Sequence, residues 1–80
     1  MKWVKEVITN GFVNMELMQH ICISPNLGTD TGKACAVFAD DANTERYYLY
    51  LVPYTNRAEQ LVAKTACELW LDDLMNELKG

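Results

Sequence analysis

The amino-acid sequence predicts an α+β fold, in which an antiparallel meander of four to five strands precedes one long C-terminal helix packed on one face. Two observations carry this prediction. As far as residue 54, short β-prone segments alternate with turn-forming residues, whereas the apolar residues between 56 and 79 recur with a period of about 3.6. Because 80 residues are few for more than one hydrophobic core, we expect a single small domain over residues 1–80.

The N-terminal segment predicts a β-hairpin around Asn10-Gly11. Both residues tolerate the positive φ angles of a two-residue hairpin turn, and short apolar runs flank them. The hairpin would join a first strand at about residues 2–9 to a second at about 11–15. The next segment, residues 14–19, fits either a helical turn or a bulged continuation into the following strand, and the sequence leaves both alternatives open.

Three further strands are expected between residues 18 and 54. The stretch 18–24, MQHICIS, is followed by Pro25, so we expect it to end there in a polar loop over 25–32. Residues 33–39 are apolar on both faces of a strand, which is typical of a central position in a sheet. Residues 46–54, RYYLYLVPY, form the most β-prone stretch of the chain.

A long helix is predicted to follow Asn56, which forms an N-cap pattern with Glu59 three residues later. The apolar residues of this helix form two stripes that lie about 160° apart at 100° per residue. One stripe contains Ala58, Leu61, Val62, Thr65 and Leu69, and the other contains Ala63, Cys67, Trp70, Leu71, Leu74 and Leu78.

A straight helix can press only one of these stripes against a sheet. Either the chain bends, or the helix starts late, or one stripe meets a second molecule. Both stripes are too apolar to remain in water, so this helix is where we expect a protein partner to bind. The interaction candidates are Leu61, Val62, Thr65 and Leu69, and the expected partner is a second copy in a homodimer or a different protein.

Four tyrosines fall on the last predicted strand. With regular alternation, Tyr48, Tyr50 and Tyr54 would share one face, and Tyr47 would lie on the other with Leu49 and Leu51. Such a row favours cross-strand packing on a half-exposed face, with a protein-contact patch as the alternative. Tyr48 and Tyr50 are therefore added to the interaction candidates.

The charge pattern of the chain is acidic, with a formal net charge of -4. Its seven basic residues are scattered singly along the sequence, so they form no basic patch that could neutralise phosphates. We therefore expect no binding to nucleic acid and none to an anionic membrane.

Cysteine usage and the N-terminus predict a cytoplasmic protein with reduced thiols. The three cysteines are widely spaced and odd in number, and no signal peptide or long apolar run is visible.

The pair His20 and Cys22 raises the question of a metal or catalytic site. If a symmetric hairpin paired Cys22 with Cys35, and the helix brought Cys67 over the same face, the four would form the Cys₃His set of a structural zinc site. However, no short-spaced cysteine pair exists, and isolated cysteines behave as small buried hydrophobes. We predict core thiols, no metal ion, no cofactor and no catalytic residue.

Several features along the chain occur in a recognisable order. They are an early Trp3, the run Gly11-Phe12-Val13-Asn14-Met15, the strand end Phe38-Ala39-Asp40 and a final amphipathic helix over 63–78. This order resembles short uncharacterised single-domain proteins of bacterial and phage genomes. The resemblance implies a β-meander followed by a C-terminal helix, and it carries over no activity and no site residues. The chain departs from the pattern at 56–65, where the first apolar stripe begins.

Three functional hypotheses follow from the sequence. The first is a small non-enzymatic protein-interaction module, encoded by a phage or mobile element. The second is an acidic inhibitor of a nucleic-acid-binding protein machine that acts by phosphate mimicry. The third is a small metal- or thiol-dependent enzyme. A contiguous acidic face would favour the second, and a bound metal or a perturbed thiol pKa would favour the third.

Overall fold

Five β-strands in two sheets and one long helix form the fold in a computed structural model, which describes residues 3–79. The elements are β1 (Trp3–Lys5), β2 (Phe12–Asn14), β3 (Met18–Thr29), β4 (Gly32–Asp41), β5 (Arg46–Tyr54) and α1 (Arg57–Lys79). The predicted α+β class is confirmed. The strands do not form one meander, however, because β1 and β2 make a two-stranded sheet and the other three make a second sheet in the order β3-β4-β5.

The N-terminal hairpin is shorter than the sequence predicts. β1 and β2 pair with Val4 opposite Val13, and each strand has three residues. The residues between them leave the ladder, with the Glu6 N–H donating to the Gly11 carbonyl at 2.7 Å and Asn10 at a φ of 61°. The predicted first strand over 2–9 is therefore wrong beyond residue 5, and its residue 2 lies outside the described residues.

The segment after β2 forms a single 3₁₀ turn, Met15–Leu17, before β3 begins. The Asn14 side-chain oxygen accepts a hydrogen bond from the Glu16 N–H at 3.1 Å and so caps this turn. Of the two alternatives for residues 14–19, the structure has the helical turn, and it leads directly into a strand.

β3 continues past Pro25 as far as Thr29, so the predicted loop over 25–32 is wrong. The register with β4 shifts between Ser24, opposite Ala36, and Leu27, opposite Ala34. Pro25 falls within this irregularity, where its missing N–H removes no ladder hydrogen bond.

β4 is the central strand, as predicted. Its residues Ala34, Cys35, Ala36, Val37 and Ala39 are fully buried. Small side chains on the face toward the helix allow α1 to pack closely on the sheet, and β3 and β5 pair with β4 on either side.

α1 begins at the predicted N-cap. The Asn56 side-chain oxygen accepts a hydrogen bond from the Glu59 N–H at 2.9 Å. The Glu59 carboxylate in turn accepts from the backbone N–H of Thr55 at 2.9 Å and from the Thr55 hydroxyl. These hydrogen bonds lower the pKa of Glu59 and fix the angle at which the chain enters the helix.

The helix packs on the sheet through two adjoining clusters. Ala63 and Cys67 lie against Cys35 and Val37 in the first. In the second, Leu74 lies against two sheet residues, Ala39 and Leu49, and against Val13 and Met15 from the N-terminal segment. Trp70 contacts both clusters, so the helix, the three-stranded sheet and the N-terminal hairpin share one core.

Candidate interaction surface

The outer face of α1 carries an apolar stripe that no part of residues 3–79 covers. Leu61, Val62 and Leu69 are exposed to 62%, 70% and 61%, whereas Ala63, Cys67 and Leu74 on the opposite side are buried. The helix is straight enough for the sheet to cover one side only, which is the geometry that the two-stripe pattern predicts. We call the residues Ala58, Leu61, Val62, Thr65 and Leu69 the outer stripe.

Thr65 lies in the middle of the outer stripe, and its hydroxyl is already satisfied. The Thr65 Oγ1 donates to the Leu61 carbonyl at 3.0 Å, within the same helix. Burying Thr65 against another apolar surface would therefore leave no donor without a partner. The outer stripe therefore has no unsatisfied hydroxyl at its centre, and most of its surface is apolar.

The outer stripe has defined limits. Toward the sheet it adjoins Val52 and Pro53 at the end of β5, which line a shallow depression together with Ala58 and Val62. Toward the C-terminus the same side of the helix becomes polar at Asp72, Asp73 and Asn76, all of which are exposed. The apolar surface therefore covers about three helical turns, or about 17 Å along the axis.

The prediction that Tyr48 and Tyr50 share one face is wrong, because they lie on opposite faces of the sheet. The β4–β5 register places Val37 opposite Tyr50 and Phe38 opposite Tyr48, so Leu49 is an extra residue in a β-bulge. One inserted residue reverses the alternation on which the prediction depended. The Val7 N–H donates to the Tyr48 carbonyl at 2.9 Å beside this bulge, which ties the N-terminal hairpin to β5.

Neither tyrosine forms part of a single contact patch with the outer stripe. Tyr50 stacks on Trp70 beneath the helix, with ring centroids 5.2 Å apart and planes 5° from parallel. Tyr48 lies on the other face against Phe38, at 6.1 Å between centroids. The Arg46 guanidinium lies over the Phe38 ring, 4.0 Å from its centroid, so a charged side chain of the same strand as Tyr48 covers this ring.

The histidine and the three cysteines do not converge. Cys22 pairs with Phe38 and His20 with Asp40, so both lie on the sheet face away from the helix. The pairing of Cys22 with Cys35 that a zinc site would need does not form, because β3 and β4 turn at residues 30–31, later than the symmetric hairpin would require. Among residues 3–79 no group of three or more metal-ligating side chains forms.

Cys35 and Cys67 are the pair that the fold does bring together. Both are fully buried between β4 and α1. Burial raises the pKa of the Cys67 thiol to about 12, and its hydrogen bond with Cys35 adds to the shift. A thiol held in its protonated form is a poor nucleophile and a poor metal ligand, which agrees with the predicted role of these two residues as core thiols.

An open cleft of about 490 Å³ lies on the sheet face opposite the helix. Its lining includes Glu6, Arg46, Tyr48 and Leu51. Two of its charged groups are already engaged, since Glu6 Oε2 accepts from the Thr9 hydroxyl at 2.6 Å and Arg46 Nε lies 3.1 Å from Asp40 Oδ1. These contacts hold Glu6 and Arg46 within the fold.

The acidic residues of the β4–β5 turn are likewise engaged. Asp41 Oδ1 accepts from the N–H groups of Asn43 and Glu45, at 2.8 and 3.1 Å. The Tyr47 hydroxyl donates to Glu45 Oε2 at 2.7 Å, which raises the pKa of Tyr47 to about 12. This acidic turn is stabilised by its own hydrogen bonds.

A second exposed apolar surface, which the sequence did not predict, lies on the N-terminal segment. Its members are Trp3, Val7, Ile8, Phe12 and Leu17. With the long strands that the sequence predicts, half of these side chains would face a core. The three-residue strands of the structure leave too little sheet for that. Among sequence features, the Asn10-Gly11 turn gave the position of the hairpin but not the length of its strands.

No helix within residues 3–79 is long and apolar enough to cross a membrane. The chain has no match among protein-family models, curated proteins or solved structures. The predicted resemblance to bacterial and phage proteins therefore stays a prediction.

Proposed function

We propose that the protein is a small non-enzymatic interaction module that binds another protein chain through the outer stripe of α1. One observation carries this proposal: three large aliphatic side chains, Leu61, Val62 and Leu69, are more than 60% exposed on one helix face, two of them one turn before Thr65 and the third one turn after it. The surface is contiguous, is bounded by charged residues and adjoins an apolar depression at the end of β5. A contiguous apolar patch with a polar rim is typical of a protein-binding surface.

The energetic argument supports the same proposal. Burying a large aliphatic side chain is worth roughly 1.5–3 kcal/mol relative to leaving it in water. The helix could have carried polar residues at 61, 62 and 69 without loss of its contacts with the sheet, because none of these three side chains belongs to either core cluster. Apolar residues at these positions are therefore explained by a partner and not by the fold of one chain.

The two alternative functions receive less support. Phosphate mimicry by the carboxylates at the β4–β5 turn is disfavoured, because they are bonded to Arg46, Tyr47 and backbone N–H groups. A thiol enzyme needs an activated cysteine, whereas Cys67 is buried with a raised pKa. We propose a cytosolic setting, which suits three free thiols.

Photo-cross-linking from the surface itself tests the proposal. A photoreactive amino acid is introduced at Thr65 in the centre of the outer stripe, and at Asn43 in the β4–β5 turn as the matched control. We expect Thr65 to give one saturable cross-linked protein species in the cells that express the chain, identified by mass spectrometry, and Asn43 to give none. Equal, diffuse labelling from the two positions would show that the outer stripe is not a binding surface.

A further inference from the structure

We propose that the partner of the outer stripe is a second copy of this chain, bound as an antiparallel, two-fold symmetric pair of α1 helices centred on Thr65. This inference rests on the proposed function, because it names the partner of the same surface. Leu61 lies four residues before Thr65 and Leu69 lies four residues after it. A two-fold axis at Thr65 therefore places Leu61 of one copy against Leu69 of the other, twice.

Thr65 suits the position on the axis. The closest approach of two helices occurs there, and a small side chain allows it. The Thr65 hydroxyl donates to the Leu61 carbonyl at 3.0 Å, so it needs no water and no partner from the second copy. The neighbouring Ala66 is also small, which leaves the two leucines as the projecting side chains that interlock across the axis.

The charges beside the outer stripe give the orientation. On one flank, Arg57 and Lys64 precede Thr65, and Glu68 and Asp72 follow it. The four lie to the same side of the outer stripe, about 40–120° from its centre at 100° per residue. Within residues 3–79 none of the four makes an ion pair inside its own chain.

An antiparallel pair matches these charges better than a parallel pair does. Arg57 lies eight residues before Thr65 and Asp72 seven after, so across the axis their positions along the helix differ by only about 1.5 Å. The positions of Lys64 and Glu68 along the helix, compared across the axis in the same way, differ by about 3 Å. In a parallel two-fold pair this flank would instead face the other flank of the second copy. Arg57 would then lie near Glu59, but Asp72 would lie near Asp73, and neither Lys64 nor Glu68 would meet an opposite charge.

The other flank does not change this preference. It carries the acidic residues Glu59 and Asp73, which lie near each other across the axis of the antiparallel pair. Glu59 is moreover turned toward Thr55, whose N–H and hydroxyl both donate to it. The first flank therefore decides between the two orientations, and its order of charges is complementary to itself. That self-complementarity is the reason for choosing a second copy over an unlike protein.

Disulfide trapping tests the arrangement. The background variant is Cys22→Ser, which removes the exposed thiol and leaves Cys35 and Cys67 buried. Leu61→Cys and Leu69→Cys are made separately in that background and oxidised mildly, alone and as a mixture. We expect a covalent dimer only from the mixture, because two copies of Leu61 are about 12 Å apart along the axis and a disulfide needs Cα atoms within about 7 Å.

Each other outcome has a definite meaning. A covalent dimer from either single variant alone would show a parallel pair and overturn the proposal. If no arm forms a dimer while Thr65 cross-links to a different protein, self-association is wrong and the proposed function stands. If Thr65 cross-links to nothing as well, both proposals fail.

A charge exchange gives an independent readout on the freely dissociating protein. Lys64→Glu and Glu68→Lys should each weaken dimerisation roughly threefold to tenfold, since each places like charges together at two symmetry-related points in the interface. The double variant Lys64→Glu/Glu68→Lys should return the dissociation constant to near its original value. Single-variant effects that simply add in the double variant would contradict an antiparallel register centred on Thr65.

Discussion

Three cysteines with similar sequence surroundings occupy two different environments. Cys35 and Cys67 face each other between β4 and α1, whereas Cys22 is exposed on the far side of the sheet. The prediction of core thiols is confirmed for the buried pair and is wrong for Cys22. The sequence could not separate them, because the face on which Cys22 lies depends on the register of β3, and that register shifts twice along the strand.

Thiol labelling at pH 8 should distinguish the two environments. We expect Cys22 to react rapidly in the native protein, and Cys35 and Cys67 to react only after unfolding. The physical reason is twofold: both are buried, and burial raises the pKa of Cys67 to about 12, so its thiol stays protonated at this pH. The count of labelled thiols by intact mass, before and after denaturant, is the measurement.

Cys22→Ser is the control for this labelling. It should leave no rapidly reacting thiol in the native protein. A second fast thiol in that variant would mean that the interface between β4 and α1 opens readily and that the buried pair is not core.

At the scale of elements, a segment could be predicted when the residues that determine its structure lie close together in the sequence. α1 and its cap were predictable because Asn56 and Glu59 act within one turn. β5 was predictable in extent from its β-branched and aromatic content, but the faces of its tyrosines were not. The bulge at Leu49 depends on β4 and on the Val7 contact, and neither is visible in the sequence of β5 itself.

Trp70→Ala should strongly destabilise the protein. Trp70 contacts both core clusters and stacks on Tyr50 at 5.2 Å between centroids. Truncating a large aromatic residue in such a position costs about 3–5 kcal/mol. Because a chain of this size has little more stability than that, urea denaturation should find the variant largely unfolded.

Trp3→Ala is the matched control, since Trp3 is 53% exposed. It should lose clearly less stability than Trp70→Ala. A Trp70→Ala variant that stays folded but changes its oligomeric state would show that Trp70 belongs to an interface between chains and not to the core.

The helix cap allows a smaller and cleaner test. Asn56→Ala removes the acceptor for the Glu59 N–H and should lower the free energy of unfolding by about 1 kcal/mol. Asn76→Ala, on the exposed outer side of the same helix, is the matched control and should be neutral or slightly stabilising. Urea denaturation of both variants compares the two losses, and equal effects would mean that the cap does not determine where α1 begins.

At the scale of the whole molecule, the three-stranded sheet covers one side of the amphipathic helix and leaves the outer stripe on its other side uncovered. The α+β class, the central strand and the exposed outer stripe follow from periodicity, which a sequence displays directly. The division into two sheets does not follow from periodicity, because it depends on how few residues the β1–β2 hairpin contributes. The second apolar surface, at Phe12 and its neighbours, was missed for the same reason.

Sedimentation measurements across about a hundredfold range of protein concentration test most directly whether the outer stripe joins two copies of the chain. The comparison is between the wild type and Leu61→Glu/Leu69→Glu, with Met75→Glu/Asn76→Glu as a control that adds the same two charges beyond the outer stripe. We expect the wild type and the control to dimerise as concentration rises, and the stripe variant to remain a folded monomer. A wild type that is monomeric throughout, with an equally stable stripe variant, would contradict the dimer.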